Sequence, residues 1–169
     1  MRYAGIIEND VVNGEGVCVS LFTQGCPHRC KGCFNPETWD FESGIEEDIK
    51  LLTLKIMNLI QRNGIQRNLS ILGGEPLCLE NRMQVNFIIK YIKEKFPDIK
   101  IFLWTGYTIE KLVKKNDLYI NEILKTVDVV IDGPFIEEEH DITLKLRGSK
   151  NQRILTKEKI YDIINHKGE

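Results

Sequence analysis

The chain has 169 residues, of which 42% are hydrophobic and 28% charged, with a formal net charge of −2. That length suits one domain with a sizeable core, expected to span residues 1–169, and the near-neutral charge gives no global reason to expect nucleic acid as a partner. No apolar run approaches the roughly 18 residues that a membrane helix needs, so a membrane is not expected as a partner either.

Taken in chain order, Met1 to Asn9 lacks the basic and apolar regions of a signal peptide, which makes the cytoplasm the expected location. Tyr3–Glu8 reads as an early strand, and Val17–Thr23 as a short buried one. Glu46–Asn63 carries Ile49, Leu52, Ile56, Leu59 and Ile60 at helical spacing, with Gly64 as its stop. Asn68–Leu72 is the next apolar run. Asn81–Phe96 follows as a helix carrying Val85, Ile88, Ile89 and Ile92, ended by Pro97. Lys100–Trp104 and Val127–Asp132 are two more strands, and Ile109–Lys125 between them divides into two short helices near Asn116 and Asp117. Arg153–Leu155 is a late strand and Lys157–Asn165 a terminal helix. There is no internal repeat or low-complexity segment.

This alternation implies an α/β fold with a mainly parallel sheet. About four or five βα units are too few to close an eight-fold barrel, so an open or partial (βα) barrel is expected. Sites in such folds lie at the C-terminal ends of strands. Cys26–Cys33, Gly73-Gly74-Glu75-Pro76, Thr105-Gly106 and Asp132-Gly133-Pro134 each follow a strand, so these loops should meet on one rim.

Five cysteines, Cys18, Cys26, Cys30, Cys33 and Cys78, are an odd number in a chain large enough to do without disulfides. Clustered thiols in a reducing compartment serve metal or redox chemistry. A 4Fe–4S cube takes one ligand per iron; Cys26, Cys30 and Cys33 supply three and leave the fourth iron open. Gly25 and Gly32 let the loop turn tightly and keep side chains away from the cube. The alternative is zinc, because three Cys and one His are a common structural set and His28 lies inside the loop. Its spacing between two cysteines points the ring outward. Cys18, in mid-strand, reads as a small core residue, and Cys78 as a packing residue or bystander thiol.

The spacing C-x3-C-x2-C, present as "CPHRCKGC", resembles the signature of radical S-adenosylmethionine enzymes, and "GGEP" resembles their loop for the cofactor's amino group. Together with "NGEG", "CFNPETW", "ILGGEPL", "TGYT", "DGPF" and "RGSKNQR", it is similar to the glycyl-radical activases. Within these it resembles the branch that serves the anaerobic ribonucleoside-triphosphate reductase, from about Asn13 to Arg153. The resemblance implies a partial barrel of the radical S-adenosylmethionine type. It implies one 4Fe–4S cluster on Cys26, Cys30 and Cys33, with S-adenosyl-L-methionine on the open iron. Reductive cleavage would yield a 5′-deoxyadenosyl radical that abstracts a glycine hydrogen from the reductase. It further implies that Gly32, Cys33 and Phe34 line the cofactor, that Gly74 offers its backbone to the methionine end, and that Glu75 lies near the ammonium. No catalytic side chain is implied beyond cluster and cofactor.

The implied partners are the glycyl-radical subunit of the reductase and a low-potential electron donor such as flavodoxin. Oligomeric state is open, a homodimer included. Alternatives are an activase of another glycyl-radical enzyme, a radical enzyme acting on a small molecule, as in deazaguanine synthesis, and a zinc-stabilised binding module. Asn35 and Trp39 read as packing or pocket residues, and Asp132 as either a site contact or a turn residue. Arg147 and Asn151, inside "RGSKNQR", are singled out from an otherwise solvated charged region. The family commonly has an arginine where Cys18 stands, and the chain lacks the extra cysteines of a second ferredoxin-like cluster.

Overall fold

The computed structural model describes residues 1–165, so the last four residues of the expected domain lie outside the described residues. Among these, strands β1 (Arg2–Asp10), β2 (Cys18–Thr23), β3 (Ile45–Glu46), β4 (Asn68–Gly73), β5 (Ile101–Thr105), β6 (Val129–Asp132) and β7 (Arg153–Thr156) form one sheet in the order β3-β1-β2-β4-β5-β6-β7. The α-helices are α1 (Ile49–Ile60), α2 (Arg82–Lys95), α3 (Ile109–Lys114), α4 (Leu118–Thr126) and α5 (Lys157–Asn165).

The sheet is mixed, which corrects the expectation of a mainly parallel one. β2–β4, β4–β5 and β5–β6 pair in parallel, whereas β1–β2, β1–β3 and β6–β7 are antiparallel. The connections explain the difference. A crossover helix carries the chain back to the start of the sheet and makes the next strand parallel, as α1, α2 and the α3–α4 pair do. Residues 11–17 and 133–152 hold no α-helix, so β2 and β7 run back along the strands before them. The sheet is open, with β3 and β7 at its edges.

Side chains alternate across the central strands, as a period of two requires. Val19, Leu21, Leu69, Ile71, Ile101, Leu103 and Val130 join the main apolar core. The helices cover that face as one layer, α2 packing on α1 and α4, and α5 on α3 and α4. Phe22, Leu72 and Trp104 point the other way and line a cleft. Both faces are thus used, and the strands accordingly read as continuous apolar runs.

Helix boundaries follow local chemistry. The helix expected from Glu46 begins at Ile49, because Ile45 and Glu46 pair with β1 and the Asp48 side chain accepts Lys50 N–H and Leu51 N–H as an N-cap. It ends at Ile60, ahead of a short turn in which Asn63 is left-handed (φ 57°). Asn116 is also left-handed (φ 49°), and the Asp117 side chain caps α4 by accepting Ile120 N–H at 3.1 Å, so the expected break between α3 and α4 is where the chain turns. The register sets Thr23 beside Gly73 and Thr105 beside Asp132. The strands therefore end level, and the loops after β2, β4, β5 and β6 share one rim.

Candidate functional site

A cleft of about 570 Å³ opens at that rim, with Cys26, Cys30, Cys33, Phe34, Gly74 and Glu75 in its walls. Of the residues that the resemblance sets against cluster or cofactor, Gly32 is the one outside this lining. Its left-handed turn (φ 71°) sets it on the outer side of the loop, where a Cβ would lie 2.9 Å from the Glu137 carboxylate that Lys31 pairs with.

The three-cysteine loop is pinched at its base. Gly25 N–H donates to Thr38 O at 2.8 Å and Cys26 N–H to Trp39 O at 3.1 Å. Within the loop, Cys33 N–H donates to Cys30 O at 3.1 Å. Burial pushes the Cys26 thiol up to about 11, opposed by the backbone N–H groups of His28 and Arg29. Burial also raises Cys30, opposed by the backbone of Phe135. Cys33 Sγ accepts Asn35 N–H at 3.4 Å. Backbone donors at Cys26 and Cys30 favour the thiolate once a metal displaces the proton. Among the described residues, no three His, Cys, Asp or Glu side chains converge on a single-ion position. Cys26, Cys30 and Cys33 all stand in the walls of one cleft, and cysteine thiolates are the ligands of iron–sulfur clusters.

His28 does not complete a zinc set, nor does its ring point outward as its spacing suggested. Its Nε2 lies 2.8 Å from Glu75 Oε2, and the two side chains are 18% and 1% exposed. Facing a carboxylate, Nε2 carries the proton. The ring stands edge-on to Tyr107, with centroids 4.4 Å apart, and is so close to Gly106 that a Cβ there would lie 2.5 Å from it.

Glu75 collects donors from three loops. Oε1 accepts Leu77 N–H at 2.9 Å and the Thr105 hydroxyl at 2.8 Å, while Oε2 accepts Gly106 N–H at 2.8 Å beside His28. A carboxylate offers about four acceptor positions, so this one has none left over. This side chain, expected near a cofactor ammonium, lies in the cleft wall and binds the cysteine loop, the "GGEP" loop and the "TGYT" loop together. The glycine before it is equally constrained. Gly74 N–H donates to Thr23 O at 2.9 Å, Glu75 N–H donates to Gly25 O at 2.8 Å, and a Cβ on Gly74 would sit 2.5 Å from Gly25 O. Only glycine allows that approach.

Residues 133–152 add a further part of the wall, packed against the cysteine loop. Phe34, 62% exposed, meets Phe135 at 5.2 Å and His140 at 5.4 Å between ring centroids. Gly148 packs beneath it, where a Cβ would come within 2.6 Å of the Phe34 ring. Trp104 Nε1–H donates to Leu146 O at 2.7 Å, tying this wall to β5. Sequence reasoning assigned no role to Phe135 or His140; the signal available was an aromatic residue just beyond the "DGP" at a strand end.

Asp132 proves to be a structural tie. Fully buried, it accepts Ile109 N–H at 2.8 Å and Arg153 Nε–H at 2.9 Å, joining β6 to α3 and β7. Trp39 Nε1 is buried and unpartnered, and Asn35 lines the cleft. Cys18 is wholly buried at the start of β2, opposite the rim, as its core reading expects. Cys78 is buried too, its thiol pushed up to about 12 by desolvation. Neither lines the cleft.

A family profile described as a 4Fe–4S single cluster domain matches residues 12–155. An anaerobic ribonucleoside-triphosphate reductase-activating protein of Pasteurella multocida (strain Pm70) is 37% identical over 154 residues, 91% of this chain and 96% of that protein. The protein of the same description in Enterobacteria phage T4 is 40% identical over 156 residues, covering 91% and 93%. That of Escherichia coli (strain K12) is 33% identical over 153 residues, covering 90% and 96%. With the cleft, its three cysteines and its interlocked glycine loop inside the matched region, the chain belongs to the anaerobic ribonucleoside-triphosphate reductase-activating protein family and carries a 4Fe–4S single cluster domain.

Proposed function

We propose that this chain is a radical S-adenosylmethionine enzyme, a partial barrel of that type, which activates an anaerobic ribonucleoside-triphosphate reductase by generating a glycyl radical on it. The observation that carries this reading is the meeting of Cys26, Cys30 and Cys33 with the Gly74–Glu75 loop in one open cleft. Cys26, Cys30 and Cys33 would hold the 4Fe–4S cluster, leaving one iron for the amine and carboxylate of S-adenosyl-L-methionine. When bound, cluster and cofactor supply a one-electron cleavage to methionine and a 5′-deoxyadenosyl radical able to take a hydrogen atom from a glycine Cα.

The chain's own residues position and shield that chemistry. Gly74 has no side chain to obstruct the methionine end and can present its backbone there; Glu75 holds the loop in place from behind. Cys33 and Phe34 flank the cofactor, and Gly32 shapes the turn between Cys30 and Cys33 from outside. Phe22, Leu72 and Trp104 form an apolar wall that keeps water from a reactive radical. No further side chain is assigned to catalysis. Phe34 and Ile142, 62% and 86% exposed at the mouth, favour a macromolecular substrate over an enclosed small molecule. A low-potential donor such as flavodoxin would supply the electron. The same reading makes the whole chain one domain working in the cytoplasm; among the described residues no helix is long and apolar enough to cross a membrane.

The test is anaerobic reconstitution, followed by reductant, S-adenosylmethionine and the reductase. About four irons per chain and a glycyl-radical doublet in electron paramagnetic resonance are expected. A colourless protein with one tight zinc would overturn the reading.

A further inference from the structure

We propose that Arg147 is a carboxylate-binding group of the cleft, placed to receive an acidic group from what enters it. This rests on the reading of the cleft as the site of cofactor and protein substrate. The side chains of fixed charge in its walls are Glu75, Asp141 and Arg147. Both acids are already supplied with donors. Glu75 has its four, and Asp141 Oδ1 accepts the Thr143 N–H at 2.9 Å and the Thr143 hydroxyl at 2.6 Å, with Lys150 at 4.0 Å from Oδ2. The arginine is not matched in this way. Nη1 donates to Gln152 O at 2.8 Å, while Nε is buried without an acceptor, and among the described residues no carboxylate pairs with the guanidinium.

That group is also held in place. Gln152 Oε1 accepts Gly148 N–H at 2.8 Å and Ser149 N–H at 3.2 Å, and its Nε2 donates to Gly133 O at 3.1 Å. On the other side, Trp104 fixes the Leu146 carbonyl at 2.7 Å, and Gly148 lies under the Phe34 ring, one residue beyond Cys33. A guanidinium carries five N–H donors, so one in the cleft wall with a single backbone acceptor and no carboxylate has donors left for an incoming group. A planar guanidinium fork on a fixed backbone matches a carboxylate, and such charge-assisted pairs are about twice as strong as neutral hydrogen bonds. The carboxylate can come from the amino-acid end of the cofactor or from an acidic residue of the protein substrate, and two titrations separate these sources.

Cluster-loaded wild type, Arg147→Gln and Arg147→Lys are titrated with S-adenosyl-L-methionine, with its decarboxylated analogue, and separately with the reductase. Arg147→Gln is expected to weaken binding of the carboxylate source on the order of 10- to 100-fold, and Arg147→Lys by less. If the cofactor is the source, the penalty appears with S-adenosylmethionine, vanishes with the decarboxylated analogue, and spares association with the reductase. If the substrate is the source, only association with the reductase weakens. Unchanged affinities in both titrations, at wild-type iron content, overturn the proposal. Should Arg147→Gln fail to load iron, Arg147→Lys decides alone, wild-type affinity in both titrations being the overturning result. A wild-type chain that loads iron but binds no S-adenosylmethionine sinks the functional reading instead, and the reductase titration still decides Arg147.

Discussion

Strand β2 has a cysteine at its start and leads into another just past its end, and the two ends treat the thiol differently. Cys18 is wholly buried, its Sγ donating to Glu15 O at 3.7 Å, with Gly14 so close that a Cβ there would lie 2.5 Å from the sulfur. Cys26 leaves the sheet and faces a cleft with Cys30 and Cys33. Each end is also organised by one buried carboxylate. At the lower end Asp10 accepts Val12 N–H, Asn13 N–H, the Asn13 side-chain amide and the Ser20 hydroxyl, all within ten residues of it. At the upper end Glu75 draws donors from His28, Thr105 and Gly106, far off in the chain. The contrast teaches that a cysteine fills core where strands pack, whereas a loop that leaves the sheet can carry it to open space beside two others. A local carboxylate hub finishes a turn; a long-range one assembles a site.

The sharpest attempt to break this contrast is Cys30→Ala, which should reduce iron content and the glycyl-radical doublet to background. If the radical yield survives, the upper end is not the ligand site. Next in size is Glu75→Gln, which turns an amide N–H toward groups that are themselves donors. It should cost about 2–4 kcal/mol in denaturant unfolding and also lower iron retention, because the cysteine loop loses its anchor. Stability loss without iron loss would mean that Glu75 is only a core tie.

Asp10→Asn should cost less, about 1–2 kcal/mol, and leave iron content intact. It carries a pH signature as well. Burial pulls the Asp10 carboxyl upward, but donation from Ser20, Asn13 and Val12 outweighs it and holds the group below its ordinary value. A carboxyl lowered on folding contributes stability above its unfolded pKa, about 3.9, and loses it as pH falls through the folded value. The variant should therefore show a flatter loss of stability below about pH 4 than the wild type, measured as urea midpoint against pH. The smallest effect belongs to Cys18→Ala, a small core truncation of about 1 kcal/mol with iron content and radical yield unchanged. Lost iron there would make the lower cysteine part of the site after all.

Much of this was legible in the chain itself. The apolar runs marked β2, β4, β5 and β6, helical spacing marked α1 and α2, and the tail expected as a helix over Lys157–Asn165 is α5. Those signals are local: a strand buried on both faces has to be apolar throughout, and a helix covering a sheet has to repeat near 3.6 residues. The two-residue strand β3 was missed, and its Glu46 was taken as the start of the first helix, because so short a run has no period of its own. The antiparallel edges were missed because a strand's direction depends on the connection before it, and residues 133–152 carry no regular pattern.

The site divides in the same way. Cys26, Cys30 and Cys33 were singled out by residue type and spacing and "GGEP" by resemblance, and the structure brings both loops to one cleft. Tertiary structure alone decided that His28 turns inward, that Glu75 shares its oxygens among three loops, that Asp132 serves Arg153 and Ile109, and that Arg147 stands in the cleft wall with a backbone carbonyl as its partner. The physical reason is that a side chain's identity sets what it can donate or accept, whereas its partners are set by which distant loops the sheet brings to the same rim.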